Sequence, residues 1–224
     1  MIDKDFLSFH NKDFLNYYGE LRGRLHTFKT ALNLLNQRGG KVIVETGCQR
    51  ERDNWEDGQS TRVFADYARK HDTHLYTVDI KREYIELAQE IVGNENVTYT
   101  TMDSIKYIGD FKKNIDLLYL DSVDVPMPEI IDAFQQHSDC YLTNIRDLSV
   151  DEAVERFGDL LLPAQTHCLN EIKAALPNLH RDSIILIDDN WIPGGGKPRL
   201  AREWLFDNDW ELLMDWQQTL WIKK

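Results

Sequence analysis

The sequence has few cysteines and lacks a long hydrophobic run. Its three cysteines, Cys48, Cys140 and Cys168, are widely spaced and form no CxxC pair. This spacing excludes a CxxC zinc motif and the disulfide framework of small secreted proteins. No segment approaches the roughly 20 apolar residues that span a bilayer, and residues 1–14 lack the continuous apolar core of a signal peptide. We therefore expect a cytoplasmic protein without a membrane partner.

The chain also has fewer basic than acidic residues. The chain has 26 lysines and arginines against 38 aspartates and glutamates, which gives a formal net charge of −12. Affinity for nucleic acid comes largely from cationic side chains that neutralise phosphates, so we expect no nucleic-acid partner. The hydrophobic fraction of 42% is nevertheless large enough for a packed core, which excludes a disordered chain.

Short apolar runs and amphipathic segments alternate along most of the chain. Residues 1–40 repeat apolar side chains at helical spacing, around 14–21 and 25–35, and predict an N-terminal helical extension. From residue 41 onward, short apolar runs alternate with helical patterns, which is typical of an α/β fold with a mostly parallel sheet. The strands are predicted at residues 41–45, 75–79, 97–101, 115–120 and 183–187.

The C-terminal region departs from this alternation. Residues 210–214 and 219–222 read as two strands with only a few polar residues between them. No crossover helix fits there, so the two strands must pair as an antiparallel hairpin at one edge of the sheet. Residues 122–165 are a second departure, an insertion with helical pieces at 127–134 and 150–157 before a helix at 166–176. Long segments with their own structure often bind substrate, and we predict a substrate lid.

Polar residues follow each of the five parallel strands. Ligands of open α/β sheets bind at the carboxyl ends of the strands, so these residues predict a ligand site at one rim of the sheet. Gly47 and Gly58 would bring the backbone close to a ligand, with Ser60 and Thr61 opening a helix behind it. Alternatively, Gly58 only caps a loop. The residues at the rim are Glu45, Asp79, Met102, Asp103, Ser104, Asp121, Asp188, Asp189 and Asn190.

Several of these segments carry a family resemblance. The motifs are VIVETG (42–47), GQST (58–61), YTVDI (76–80), TTMDS (100–104), IDLLYLDS (115–122) and the closing hairpin. Over residues 40–222 the chain resembles the class I S-adenosylmethionine-dependent methyltransferases, which implies a Rossmann-like seven-stranded sheet over 41–224 with helices on both faces. One departure is that the second glycine of the family's E/D-x-G-x-G turn is delayed to Gly58.

The resemblance implies a role for each cofactor-site residue. Glu45 and Gly47 would line the methionine part of S-adenosylmethionine, and Asp79 would hold the ribose. Met102, Asp103 and Ser104 would border the adenine. Gly58, Ser60 and Thr61 would close over the cofactor. An alternative for Asp79 is a solvated carboxylate at the end of a strand.

Within this class the chain is similar to the divalent-metal O-methyltransferases of the catechol and macrolide-sugar types. That similarity implies a Mg²⁺ site made of Asp121 and two neighbours among Asp188, Asp189 and Asn190, because hard oxygen ligands suit this ion. The pair Asp188–Asp189 is favoured over Asp189–Asn190, and solvated carboxylates or a helix cap remain the alternative. The implied reaction is metal-assisted methylation of a small-molecule hydroxyl, with Asp121 at the reacting centre.

Two further features lie near this rim. His167 and Glu171 are four residues apart on one helical face, so His167 is a candidate catalytic base; a histidine that merely packs there is an equal alternative.

The run Pro193–Lys197 contains GGGK but not the spacing of a phosphate loop. We expect it to be a flexible loop beside the acceptor, with Lys197 and Arg199 steering an anionic acceptor.

Two other functions are open to the same pattern. An NAD-dependent oxidoreductase shares the glycine turns and the strand-end aspartate, but the chain lacks GxGxxG and ends in a hairpin. A non-catalytic nucleoside-binding domain would not need Asp121 with Asp188 and Asp189. The aromatic N-terminal helices would cover either the site or a second copy of the chain in a homo-oligomer.

Overall fold

The computed structural model of the chain describes residues 21, 23–55, 59–137 and 148–224. The predicted helix around 14–21 therefore lies almost wholly outside the described residues, and so does Gly58. The second predicted helix of the extension is present as α1, Arg24–Gln37. Its apolar side chains recur at helical spacing and are buried, among them Leu25, Phe28 and Leu32.

Seven strands form one sheet. Their order is β3-β2-β1-β4-β5-β7-β6, and β7 runs antiparallel to both β5 and β6 while β1 to β5 are parallel to one another. The predicted sheet with its antiparallel C-terminal hairpin is thus confirmed. The strands are β1 Val42–Thr46, β2 His74–Asp79, β3 Val97–Thr101, β4 Ile115–Leu120, β5 Leu179–Ile187, β6 Trp210–Asp215 and β7 Thr219–Lys223.

The central strands are buried on both faces because helices cover the sheet on each side. Successive residues of a strand point to opposite faces, and in β4 Leu117 and Tyr119 join the core cluster under α1 and α2. Leu118 and Leu120 join the cluster under α4, α6 and α7. The helices on both faces are α2 Ser60–His71, α3 Arg82–Val92, α4 Ser104–Asp110, α5 Met127–His137, α6 Val150–Ala175 and α7 Arg199–Asp207.

The second half of the insertion differs from the sequence prediction. The helical pieces expected at 150–157 and 166–176 are one helix, α6, which continues through Pro163. Proline removes one backbone hydrogen bond from a helix, and here Leu161 and Ala164 on either side of it are buried. Tertiary packing therefore outweighs the local break. The substrate-lid role of residues 122–165 stays a prediction.

Strand β5 is longer than the sequence pattern indicated. It begins at Leu179 rather than at residue 183, because its first half carries the polar residues His180, Arg181 and Asp182, which hide the apolar signal. None of the described helices is long and apolar enough to cross a membrane.

Candidate functional site

Two adjoining clefts form a groove at the carboxyl ends of β1, β2 and β4. Gly47, Asp79, Ile80 and Ser122 line both clefts. One cleft extends to Asp103, Ser104 and His167, and we name it the nucleoside end after the ligand that the sequence predicts there. The other extends to Ser60, Asp121 and Asp124, and we name it the acceptor end on the same basis. The structure therefore brings together four of the residues that the sequence placed at this rim, Asp79, Asp103, Ser104 and Asp121, along with Gly47 and Ser60.

Gly47 brings the end of β1 against the end of β4. Its φ is +79°, and a Cβ at this position would lie 2.2 Å from the backbone oxygen of Asp121. An L-amino acid with a side chain would be both strained and obstructed there. The close approach places the groove directly beside Asp121.

Glu45 lies beneath the groove rather than in its lining. It is fully buried, and its Oε2 accepts hydrogen bonds from Thr61 at 2.8 Å and Thr77 at 2.7 Å. Thr61 is buried too and accepts a hydrogen bond from the backbone N–H of Gln49 at 2.8 Å. Both side chains thus tie β1 to α2, and the roles of Glu45 at the methionine part and of Thr61 over the cofactor stay predictions.

The charge of Glu45 has no cationic partner among the contacts described for it. Its Oε1 is buried and has no hydrogen-bond partner. Burial raises the pKa of Glu45 to about 7, against the smaller opposing effect of nearby hydroxyls. A hydrogen-bond donor able to reach this oxygen would stabilise the charged form of Glu45.

Asp79 and Ile80 together suit a nucleoside. The carboxylate of Asp79 accepts hydrogen bonds from the backbone N–H of Cys48 at 3.2 Å and of Lys81 at 2.8 Å. A carboxylate has about four acceptor positions, so capacity remains for ribose hydroxyls. Ile80 is 67% exposed, an apolar surface next to the carboxylate that a planar base would cover. Ile80 is not among the predicted site residues, although it directly follows Asp79, the predicted ribose ligand, in the sequence.

At the nucleoside end, Asp103 caps α4 by accepting a hydrogen bond from the backbone N–H of Lys106 at 2.9 Å. Ser104 Oγ lies 2.9 Å from His167 Nε2. Met102 is not among the lining residues of either cleft, and its backbone N–H donates to Asp79 O at 3.0 Å. Asp103 and Ser104 thus reach the groove, while Met102 extends the strand pairing.

His167 belongs to the same end of the groove. Its Nε2 lies 3.4 Å from Glu171 Oε1, and Ser122 Oγ donates to that oxygen at 2.7 Å. The hydrogen bond to Glu171 raises the pKa of His167, while burial opposes the rise. A raised pKa favours the protonated, donor form. Both contacts described for Nε2 are with side chains of the protein, Ser104 and Glu171, and the catalytic role of His167 stays a prediction.

The predicted metal ligands do not converge on an open position. Lys197 Nζ lies 2.6 Å from Asp121 Oδ1 and 3.1 Å from Asp189 Oδ2. Burial alone would lower the pKa of Lys197, but these two carboxylates raise it, so the ammonium stays charged. Across the described part of the chain, no group of three or more histidine, cysteine, aspartate or glutamate side chains is arranged to hold a metal ion.

Asp188 and Asn190 are engaged elsewhere. Asp188 is fully buried and contacts Arg24 Nε at 3.0 Å, Tyr119 Oη at 2.6 Å and Gln218 Nε2 at 3.2 Å. Burial alone would raise the pKa of Asp188, but Arg24 and Tyr119 lower it. Asn190 donates instead to Asp215 and to the backbone oxygen of Trp216. The residues present therefore do not fit the predicted Mg²⁺ site.

Comparisons with known proteins support the fold. No protein-family model matches the chain, and no curated protein sequence matches it. Among solved structures, a putative O-methyltransferase from Klebsiella pneumoniae matches 95% of this chain and 89% of its own, at 14% identity and a TM-score of 0.55. CalS11, a TDP-rhamnose 3′-O-methyltransferase of calicheamicin biosynthesis, matches 91% of this chain and 81% of its own, at 14% identity and a TM-score of 0.54.

A third match extends this likeness. A putative methyltransferase from Streptococcus mutans, solved with S-adenosylhomocysteine, matches 88% of this chain and 97% of its own, at 10% identity and a TM-score of 0.52. The chain spans 52% of the length of another match, a methyltransferase homologue from Pyrococcus horikoshii. The chain has the Rossmann-like fold of S-adenosylmethionine-dependent methyltransferases, and the resemblance inferred from its motifs is confirmed at the level of the fold.

Proposed function

We propose that the chain is an S-adenosylmethionine-dependent methyltransferase that methylates a hydroxyl group of a small molecule. The observation that carries the proposal is the groove, where Asp79, Ile80 and Asp103 meet at the carboxyl ends of parallel strands in a methyltransferase fold. The S-adenosylhomocysteine bound to the Streptococcus mutans protein supports the choice of cofactor. The O-methyltransferase function of CalS11 supports an oxygen acceptor.

When bound, the cofactor would supply a methyl group on its sulfonium: the acceptor oxygen would bond to the methyl carbon as the carbon–sulfur bond breaks, and S-adenosylhomocysteine would leave. Most of the chain's contribution to such a reaction is positioning. Asp79 would accept hydrogen bonds from the ribose, Ile80 would cover the base, and Asp103 and Ser104 would present polar groups at the edge of the base. These contacts hold the nucleoside end and leave the acceptor end of the groove for the hydroxyl.

Asp121 is the group best placed to act on the acceptor. It lines the acceptor end, and its side chain is 25% exposed although Lys197 holds one of its oxygens. A carboxylate there can accept the proton that the hydroxyl loses as the methyl group is transferred. No step is assigned to a divalent metal, because the predicted ligands do not fit one.

The fold argues against one of the two alternative functions, the NAD-dependent oxidoreductase. The antiparallel β7 between β5 and β6 is the arrangement of the methyltransferase fold rather than the all-parallel sheet of a dinucleotide-binding oxidoreductase. A non-catalytic nucleoside-binding domain shares the fold, so only an experiment separates it from the enzyme.

Thermal unfolding with S-adenosylmethionine, S-adenosylhomocysteine and NAD tests the proposal. A ligand at about 100 times its Kd stabilises a protein by about 2.7 kcal/mol, and we expect this from the two sulfur nucleosides alone. Asp79→Ala should abolish the shift, while Asp207→Ala, at the exposed end of α7, should keep it. A shift with NAD and none with either sulfur nucleoside would contradict the proposal.

Asp121→Asn separates binding from catalysis. It should keep the shift with S-adenosylhomocysteine but lower kcat about 100-fold or more, the usual contribution of a general base. The measurement is transfer of labelled methyl groups to a panel of hydroxyl-bearing small molecules. Binding of S-adenosylhomocysteine without transfer to any acceptor would favour the non-catalytic domain.

A further inference from the structure

The ammonium of Lys197 occupies the position at which the sequence predicted a divalent ion. Its side chain is only 3% exposed, and Nζ bridges Asp121 and Asp189 at 2.6 and 3.1 Å. Asp121 follows β4 and Asp189 follows β5, and these are the two adjacent strand ends that were expected to share a metal. One buried cation thus already links the two carboxylates.

The backbone conformation of the glycine-rich loop, residues 193–197, places the Lys197 side chain against these carboxylates. Gly196 has φ +55°, and a Cβ there would lie 1.9 Å from the backbone oxygen of Asp189. The backbone N–H of Lys197 donates to that same oxygen at 3.3 Å, and Gln165 Nε2 donates to Gly196 O at 3.0 Å. Most residues of the loop are buried, with Gly195 partly exposed, and the flexibility expected from the sequence stays a prediction. Its tight turn returns Lys197 to the carboxylates.

The remaining groups leave little room for a second cation. Arg24 pairs with Asp188 at 3.0 Å and lies 3.9 Å from Asp189. Three carboxylates and two basic side chains therefore share the cluster, with a formal charge of −1. A divalent ion would have to displace the Lys197 ammonium from Asp121 and Asp189, which it already contacts at 2.6 and 3.1 Å.

We propose that Lys197 is a resident cation that takes the place of the divalent ion and positions Asp121 beside the groove. Its role in methyl transfer rests on the proposed function; its occupation of the carboxylate site does not. Two consequences follow. The chain does not bind divalent metal at Asp121, and methyl transfer proceeds at full rate in the presence of a chelator. Removing the ammonium should convert the same carboxylates into a metal site.

Mn²⁺ binding, followed by electron paramagnetic resonance, tests this directly. Wild-type protein should show no saturable binding that depends on Asp121. Lys197→Met, which keeps the length of the side chain but not its charge, should tighten Mn²⁺ binding by about tenfold or more, because it leaves buried carboxylates uncompensated. The added substitution Asp121→Asn should abolish this gain. Lys112→Met, at an exposed lysine, is the matched control and should behave as wild type.

Either of two results would overturn the proposal. One is wild-type Mn²⁺ binding that Asp121→Asn removes, an arm that needs no substitution of Lys197. The other is a folded Lys197→Met protein that gains no Mn²⁺ binding; Lys197→Gln serves as the second variant if the first does not fold. A wild-type protein without a shift from S-adenosylhomocysteine would contradict the proposed function alone, since the Mn²⁺ result does not depend on that ligand.

Discussion

Carboxylates at the nucleoside end of the groove and those beyond its acceptor end differ in their partners. At the nucleoside end, Asp79 and Asp103 accept hydrogen bonds from backbone N–H groups and remain accessible to a ligand. Beyond the acceptor end, Asp188 and Asp189 meet the side chains of Arg24 and Lys197. The end of a strand brings a carboxylate to the rim, but its partners decide whether it is available to a ligand.

A second contrast concerns burial. Glu45 and Asp188 are both fully buried, yet burial raises the pKa of Glu45 to about 7 whereas Arg24 and Tyr119 keep the pKa of Asp188 below its usual value. A buried carboxylate without a cation is destabilising in its charged form, and one with a cation depends on that partner. Removing the carboxylate charge at Glu45 should therefore raise the free energy of unfolding, whereas removing the cationic partner of Asp188 should lower it.

The largest expected effect on stability comes from removing Arg24, the cationic partner of Asp188. Arg24→Ala leaves the buried Asp188 carboxylate uncompensated and should lower the free energy of unfolding by about 3 kcal/mol or more. Urea unfolding at pH 7 measures the change. As a control, Lys41→Ala breaks an ion pair with Asp72 whose side chains are 55% and 99% exposed, and it should cost below about 0.5 kcal/mol. A loss at Arg24 as small as the control would show that Asp188 does not depend on this partner.

The pair of Arg24 and Asp188 also shows where sequence reasoning stops. The strand order, the hairpin and the rim of polar residues followed from local patterns: alternating apolar runs, and two strands too close for a crossover. Arg24 is 164 residues from Asp188 in the sequence, and nothing in the spacing of α1 indicates that one of its charged residues reaches the end of β5. Such a contact depends on how α1 packs against the sheet.

Lys197 illustrates a different limit. The sequence placed GGGK near the rim and allowed Lys197 to steer an anion, but the direction of the side chain depends on positive φ angles that three adjacent glycines permit and do not require. The family resemblance pointed instead to a metal. The available signal was a lysine that follows a run of glycines and lies close in the sequence to three candidate metal ligands. Because several carboxylates at one rim need compensating positive charge, that lysine was itself a candidate for the cation.

Glu45→Gln should have the next largest effect and the opposite sign. Because its pKa is raised from 4.5 to about 7 in the folded protein, folded Glu45 binds a proton more tightly than unfolded Glu45. Stability therefore falls as the pH rises from about 4.5 to about 7 and stays low above that range. The neutral variant lacks this loss, so at pH 8 it should be more stable than wild type by about 2–3 kcal/mol.

Measuring both proteins by urea unfolding at pH 8 and near pH 4.5 tests this prediction. The stability difference should shrink toward zero at the lower pH, because wild-type Glu45 is then protonated in the folded state. Comparing the two proteins at each pH removes the contribution of the other carboxylates. A variant that is less stable than wild type at pH 8 would mean that Glu45 has a compensating partner and does not contrast with Asp188.

The smallest effect concerns His167, at the nucleoside end. Its hydrogen bond to Glu171 raises its pKa above the usual 6.5, so the stabilisation is fully present below pH 6.5 and is lost as the pH rises through the folded value. Glu171→Gln keeps the shape of the partner but removes its charge. It should lower the pKa of His167 and cost below about 1 kcal/mol at pH 6, because His167 is partly exposed to solvent.

NMR titration of the histidine ring protons measures the shift in the pKa of His167. As a control, the pKa of His74, which is lowered by burial and by Lys113, should not change. An unchanged pKa at His167 would show that the charge of Glu171 does not raise it.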